Sequence, residues 1–324
     1  MSESSYAYAF GRVRALETEL MDSTQIKRMI DARTAQDALK TLSETSYGSY
    51  LPDSPDIPDI EKALIEELKK TYEIVRNISP QREITDLFEL QYDIHNLKIL
   101  LKSEITGISF DELLIPLGRE GPESLAEALE GDLKAVSPFI GQTIEKARII
   151  YGDTKDFQKV QFFLDREHAR LLHQGFLKIP FLTQFFMLKI DLENIRNAIR
   201  AHRVGLPFED IFLPGGSYPV AFFTEIKDQP AEYFMEKTRN RDYAEVVTEG
   251  LTQYQKIGSL SLYEKNTDDF LMNYMKKAKF YSLSIEPVAG YLFAKEREVR
   301  ILRQILIGKM KHIDVTQRVS EVYE

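Results

Sequence analysis

The sequence predicts an all-α protein made of three similar helical units. One pattern recurs along the chain: apolar residues separated by steps of three or four, which form a single stripe along a helix. The first copy occupies residues 84–101, and adding 98 to each of its six apolar positions gives apolar residues again. The second copy consists of Leu182, Phe185, Leu188, Leu192, Ile195 and Ile199. The chain also has only 16 glycines and 13 prolines among 324 residues and lacks long alternating strands, which favours helices.

Polar positions repeat in the same register as the apolar stripe. Asp93 matches Asp191, and Asn96 matches Asn194, again 98 residues apart. A weaker third copy lies a further 107 residues along the chain and includes Glu298. Its other matching residues are Val299, Leu302, Arg303 and Leu306, and it departs from the pattern at Lys295 and Ile301. A chain built by triplication is more often a scaffold than an enzyme with a single pocket.

Three domains are predicted from this period, with boundaries at residues 1–107, 108–205 and 206–324. Each is expected to contain a short helical lead, a middle amphipathic helix and a long final helix. Matching blocks mark the middle helix, and they begin at Asp59, Asp156 and Tyr263.

Turn residues predict where these helices begin and end. Connectors rich in glycine and proline, residues 107–122 and 205–219, follow the first two long helices. We expect Asp59 to cap the middle helix of the first unit, because a carboxylate accepts the free N–H groups of a first turn. Pro287 is expected in the first turn of the final helix, where proline is tolerated.

Composition excludes several classes of function. The net charge of −9 argues against a nucleic-acid-binding protein, which needs a basic footprint. The absence of cysteine excludes a disulfide, a zinc–thiolate site and a thiol nucleophile. The longest uncharged run, residues 211–224, is shorter than the roughly 20 residues that a spanning helix needs. No signal peptide opens the chain, so we expect a soluble protein.

Motifs for chemistry are mostly missing. The sequence has neither a phosphate-binding P-loop nor a dinucleotide fingerprint. The five histidines fit no metal-ligand spacing: His95, His168, His173, His202 and His312. Glu296 and Glu298 alternate with Lys295, Arg297 and Arg300, which predicts an ion-paired helix surface, with general acid–base work as the alternative. We therefore predict no catalytic residue, no metal site and no cofactor.

Basic pairs are the more informative repeated feature. They occur four residues apart on one helix face at Lys98 and Lys102, and again at Arg196 and Arg200, with Arg303 as the third-unit counterpart. Like charges at this spacing repel, so an acidic group should face them. That group is either an intrachain acid on a neighbouring helix or the acidic surface of a partner.

The repeated Asp93, Asp191, Asn96 and Asn194 lie beside the apolar stripe. Short polar side chains in such a position are predicted to form hydrogen bonds with neighbouring helices and to fix their register. A ligand site, or an enzyme that uses the two aspartates, is the alternative.

Several segments resemble one family, the C subunits of the V-type/A-type rotary ATPases, whose eukaryotic V-ATPase members are called d subunits. The matching segments follow the family's order: Tyr6, Tyr8 and residues 12–17; residues 42–48; residues 92–98 with 191–196; and residues 294–303. The last block departs from the family at Ile301, where a polar residue is usual. The resemblance extends over about residues 6–309.

This resemblance implies a funnel-shaped, all-helical protein of three similar domains with pseudo-threefold symmetry. It implies a position at the cytoplasmic face of a membrane, between the membrane rotor ring of proteolipid subunits and the central stalk. Such a protein has no active site and couples ATP hydrolysis or synthesis to ion transport. The pumped ion, proton or sodium, and the direction of the reaction stay open. Residues 108–118 and 206–216 are predicted contacts with the ring. A generic helical-repeat scaffold unrelated to ion pumping is the alternative.

Overall fold

The computed structural model describes residues 3–204, 210–225, 229–315, 319 and 322–323. Every regular element in those ranges is a helix, which confirms the predicted all-α class. The helices are α1 (Glu3–Glu17), α2 (Ser23–Asp31), α3 (Ala35–Ser43), α4 (Ile57–Ile78), α5 (Arg82–Thr106), α6 (Gly121–Glu130), α7 (Pro138–Thr154), α8 (Phe157–Phe176), α9 (Pro180–Val204), α10 (Val220–Glu225), α11 (Ala231–Thr238), α12 (Ala244–Ile257), α13 (Ser261–Lys276) and α14 (Glu286–Met310). Short 3₁₀ helices occupy Ser46–Tyr50, Asp111–Leu113, Leu133–Ala135 and Lys277–Phe280.

The chain packs as two compact units. One unit combines residues 1–82 with residues 230–324, so it brings together both ends of the chain. The other unit consists of residues 83–229. The threefold repeat is visible in the lengths of the long helices, because α5, α9 and α14 each have 25 residues. The division into three domains and the funnel-shaped arrangement stay predictions.

The middle helix of the first repeat begins with a capping box. The N-cap residue is Asp56, whose carboxylate accepts the Asp59 N–H at 2.9 Å. Asp59 in turn accepts the Asp56 N–H at 3.1 Å. The prediction that Asp59 is the capping residue is therefore wrong, because the N-cap residue is Asp56, three residues earlier. The two acids accept each other's backbone N–H groups. Pro287 lies in the first turn of α14, as predicted.

The unit of residues 83–229 has a core built from one face of each of several helices. Its fully buried members include Leu97 on α5, Leu125 on α6, Ile144 on α7 and Leu164 on α8. The stripe that starts at Ile84 supplies the α5 side of this core through Leu90, Ile94, Leu97 and Leu101. The apolar periodicity of the sequence thus indicates the packing face correctly.

Helix α14 is the central helix of the other unit. It packs against α1, α2, α3, α4 and α13. Of its 25 residues, 17 are buried, so it has no broad solvent-facing side. Such a helix must pair its charged residues inside the protein, because an unpaired buried charge costs on the order of several kcal/mol.

The described helices are all too short or too polar to span a bilayer. Across the described ranges, no helix combines the length and apolar character that a membrane span requires.

Candidate functional site

The repeated asparagines clamp the loops that follow their helices. On α5, the Asn96 amide donates to the Ile115 carbonyl oxygen at 2.8 Å and accepts the Ile115 N–H at 2.8 Å. On α9, the Asn194 amide donates to the Leu213 carbonyl oxygen at 2.9 Å and accepts the Leu213 N–H at 2.8 Å. Each amide thus forms two hydrogen bonds with the backbone of one loop residue, as a neighbouring β-strand would. That loop residue lies 19 positions further along the chain.

The repeated aspartates bind the same loops one turn away. Asp93 accepts the Glu120 N–H at 3.1 Å, and Asp191 accepts the Ser217 N–H at 2.7 Å. The Ser217 hydroxyl donates a second hydrogen bond to Asp191. We call these Asp–Asn pairs the loop anchors. Both aspartates are buried and occupied by backbone donors.

Two matched glycines explain why the loops can approach so closely. A Cβ atom at Gly118 would lie 2.1 Å from Asp93 Oδ1, and one at Gly216 would lie 2.5 Å from Asp191 Oδ1. Any side chain would displace the loop from its anchor. Glycine is therefore required at both positions because the loop leaves no room for a side chain. The sequence pattern shows that these glycines recur but does not show this role.

The loop anchors correct one prediction. The repeated polar residues were expected to bind neighbouring helices, but their partners are loop backbone groups. Helix backbones satisfy their own N–H and C=O groups, whereas buried loop backbones need an outside partner. The side chains of α5 and α9 supply that partner.

The third long helix has an anchor of the same kind. Glu298 on α14 accepts the Met21 N–H at 2.5 Å and the Tyr47 hydroxyl at 2.7 Å. Met21 lies just before α2, in the same way that Glu120 lies just before α6. The repeat register indicates the correct position, because Glu298 matches Asp93 at the summed offset. It could not show that the partner would come from the opposite end of the chain.

A buried ion cluster surrounds this third anchor. The Lys295 ammonium lies 2.8 Å from Glu298 and 3.2 Å from Glu67 on α4. It also lies 4.6 Å from the centre of the Tyr47 ring. Burial lowers the pKa of Lys295, but the attraction of Glu298 and Glu67 outweighs it and leaves the pKa raised. Burial, reinforced by Glu298, raises the pKa of the Tyr47 hydroxyl well above its usual value.

The predicted ion-paired helix surface around Glu298 is therefore wrong in one respect. The ion pairs exist, but Lys295, Arg297 and Glu298 are only 1%, 7% and 4% exposed. Lys295 breaks the apolar stripe because its charge neutralises two buried carboxylates inside the unit. The break in the sequence pattern was the signal for this cluster.

Intrachain neighbours are observed for several of the basic residues predicted to contact a partner, among them Lys98, Lys102 and Arg303. Lys98 forms an ion pair with Asp165 on α8 at 2.5 Å. Arg303 binds Glu61 on α4 through Nε at 2.8 and 3.0 Å. Lys102 lies over the Phe110 ring, 4.4 Å from its centre. For Lys98 and Arg303, the acid on a neighbouring helix is thus observed.

The two arginines of the second repeat both lie on α9. Arg196 is half-buried, and its Nε atom has no hydrogen-bond partner among the described residues. Arg200 is exposed on the same helix. Contact between a partner and the basic edge, which consists of Lys98, Lys102, Arg196, Arg200 and Arg303, stays a prediction.

The histidines are not grouped in the part of the chain that the structure describes, and no set of three metal-ligating side chains converges there. His168 is half-buried, and loss of contact with water lowers its pKa to about 3, which keeps the imidazole neutral. The ring of His173 lies 6.0 Å from that of Phe186. The side chain of His202 lies outside the described residues.

Replacing Gly118 with alanine should disrupt a loop anchor. We expect the free energy of unfolding to fall by about 1–3 kcal/mol, because the new methyl group overlaps Asp93 Oδ1. Gly152→Ala is the matched control: it lies in α7 with no atom within 4 Å of the added Cβ. Alanine there should stabilise the helix by about 0.5–1 kcal/mol. Urea denaturation measures both, and equal effects at the two positions would argue against the anchor.

Comparison with known proteins identifies the family. The sequence profile of the ATP synthase (C/AC39) subunit family matches residues 9–317. The A-type ATP synthase C subunit of Methanocaldococcus jannaschii is 26% identical over an alignment that covers 95% of this chain and 84% of that protein. The V-type sodium ATPase C subunit of Enterococcus hirae is 28% identical over an alignment that covers 96% of this chain and 97% of that protein. The A-type ATP synthase C subunit of Desulfurococcus sp. is 27% identical over an alignment that covers 93% of this chain and 85% of that protein.

The matched region includes all three long helices, both loop anchors and the buried ion cluster. It also includes most of the segments on which the resemblance in the sequence rests. The chain therefore belongs to the ATP synthase (C/AC39) subunit family.

Proposed function

We propose that this protein is a non-catalytic central-stalk component of a V/A-type rotary ATPase. In this role it turns with the rotor and couples the central stalk to the membrane ring of proteolipid subunits. Ion transport is thereby linked to ATP hydrolysis or synthesis, while the chemistry belongs to other subunits. The family match over nearly the whole chain supports a role in such a complex.

The observation that carries the mechanical part of the proposal is the set of buried anchors. A part that transmits torque must not let its loops slide along its helices. Here, buried side chains of α5, α9 and α14 hold loop backbone groups through hydrogen bonds to carboxylates or amides. Hydrogen bonds to ionised groups are worth about 1.5–3 kcal/mol, more than neutral ones, so each anchor resists displacement.

The surfaces of contact follow from the same role. We assign the ring contact to residues 108–118 and 206–216, of which residues 206–209 lie outside the described ranges. The exposed Lys102 and Arg200 would face acidic groups of a neighbouring subunit. The protein would act at the cytoplasmic face without crossing the bilayer.

Cross-linking can test the rotor assignment because the chain has no cysteine. A single cysteine placed at Lys102 gives one defined attachment site on α5. In the assembled complex, a short bifunctional reagent should join this site to a protein of the stalk or the ring. ATP turnover should continue after the link forms, because parts that rotate together are not blocked by a bond between them.

A cysteine at Ile149 is the control, since this residue is 62% exposed on α7 and lies outside the basic edge. It should react with a monofunctional label equally well but form little of the same adduct. A link from position 102 to a stationary peripheral protein, with loss of ATP turnover, would contradict the rotor assignment.

A further inference from the structure

One of the three segments that lead into the long helices differs from the other two. Residues 79–81 join α4 to α5, and residues 177–179 join α8 to α9, three residues in each case. The corresponding segment between α13 and α14, residues 277–285, has nine. The repeat is therefore asymmetric at this point.

The longer segment arises because α13 ends early. In the repeat register of the middle helices, residues 277–282 match residues 171–176, which are still helical in α8. In the third repeat, residues 277–282 instead form a 3₁₀ helix and the start of a loop. We call residues 276–283 the knob segment.

The knob segment presents apolar side chains to solvent. Phe280 is 89% exposed, Leu283 is 47% exposed and Tyr281 is 40% exposed. Three exposed large apolar residues within four positions form a patch, whereas a single one would need no explanation. The segment also carries three lysines and no acid, in a chain whose net charge is −9.

The knob segment is held in place at its base. Ala278 is fully buried, and the Tyr281 N–H donates to the Ala278 carbonyl oxygen at 3.2 Å. Arg14 on α1 donates to the Lys279 carbonyl oxygen. The Lys279 ammonium lies 3.3 Å from the Tyr323 carbonyl oxygen and 4.4 Å from the centre of its ring. Phe280 therefore projects from a fixed turn.

The backbone gives a further indication of constraint. Leu283 has a φ of 53°, the left-handed region that a branched apolar residue rarely occupies. In this conformation about half of the apolar Leu283 side chain stays exposed to solvent in the isolated chain. Strained conformations of this kind concentrate at sites that bind something.

We infer that the knob segment is a docking site for a partner protein, with Phe280 entering an apolar socket rimmed by carboxylates. The inference rests on the proposed function, because the partner is another subunit of the same complex. An aromatic ring on a fixed turn is typical of the anchors that dominate protein interfaces, since little conformational freedom is lost on binding. The lysines select an acidic rim. Amphipathic helices that bind membranes instead offer a long apolar face, whereas this patch has only three side chains.

The first test places a photo-cross-linking residue, p-benzoyl-phenylalanine, at position 280 in the assembled complex. The expected result is an adduct with one peptide of one protein subunit, and that peptide should contain aspartate or glutamate. The control position is Ile257 at the end of α12, which is 62% exposed in the same compact unit. It should give no such adduct. Adducts with lipid alone, or none with protein, would overturn the inference.

The second test measures rebinding of the purified chain to a complex that has been stripped of it. Phe280→Ala should raise the half-saturating concentration about tenfold or more, as loss of an interface anchor does. Ile257→Ala should leave it within about twofold. Circular dichroism should show both variants folded, because both side chains are largely exposed. If Phe280→Ala rebinds like the wild type, the inference fails while the proposed function stands. If the wild type itself does not rebind, the proposed function fails.

Discussion

Replacing Lys295 with methionine is expected to lower the free energy of unfolding by about 3–5 kcal/mol, the usual cost of removing one partner of a buried ion pair. Methionine matches the lysine stem in size and resembles Leu90 and Leu188 at the equivalent repeat positions. The loss therefore measures charge rather than packing. Glu67 and Glu298 would remain buried without the ammonium that lies 3.2 and 2.8 Å from them.

Lys69→Met on α4 is the matched control, because Lys69 is exposed and its replacement should change stability by no more than about 0.5 kcal/mol. Combining Lys295→Met with Glu67→Gln should recover part of the loss, since only Glu298 would then stay charged. Glu298 would keep its hydrogen bonds from Met21 and Tyr47. A Lys295→Met protein as stable as the Lys69→Met protein would show that the cluster contributes no stability.

Asp93 should give the stability of the protein a pH dependence that Asp93→Asn removes. Burial raises the pKa of Asp93 to about 6, and the N–H groups of Glu120 and Arg119 offset only part of this effect. The pKa of an aspartate in the unfolded chain is about 3.9. The folded protein therefore binds the proton more tightly, and stability falls as the pH rises through this window. The expected loss between pH 4 and pH 7 is about 2 kcal/mol.

Asparagine keeps an oxygen that can accept the Glu120 N–H, which Asp93 accepts at 3.1 Å, but it carries no charge. The stability of Asp93→Asn relative to the wild type should thus increase from pH 4 to pH 7. Urea denaturation at closely spaced pH values measures this difference. Asp153→Asn on the exposed side of α7 should follow the wild type throughout. A difference between Asp93→Asn and the wild type that stays constant over this range would contradict the raised pKa.

The long helices and their packing faces could be predicted from the sequence, because burial imposes a period on the apolar residues. The stripe from Ile84 to Leu101 indicates the buried side of α5, and the matched stripe of α9 is buried as well. The positions of the loop anchors were also visible, as aspartates and asparagines that recur at the same spacing. The apolar stripes and the anchor positions both depend on the spacing of residues within a single helix.

The partners of those anchors could not be predicted. Helical periodicity specifies which side of a helix is buried but says nothing about which loop reaches it. Glu298 binds the backbone of Met21, 277 residues earlier in the chain, and no local pattern connects the two. The burial of Lys295 was missed for the same reason, because its carboxylate partner Glu67 lies on a distant helix. Contacts of this range depend on the complete fold.

The most direct test of the coupling role measures ATP hydrolysis and ion transport together, in membrane vesicles whose complexes contain or lack this chain. If the chain couples stalk and ring, hydrolysis should continue without it, while the ions transported per ATP fall to the level of passive leak. Adding the purified chain back should restore transport. An unchanged number of ions per ATP in complexes that lack the chain would contradict the coupling role.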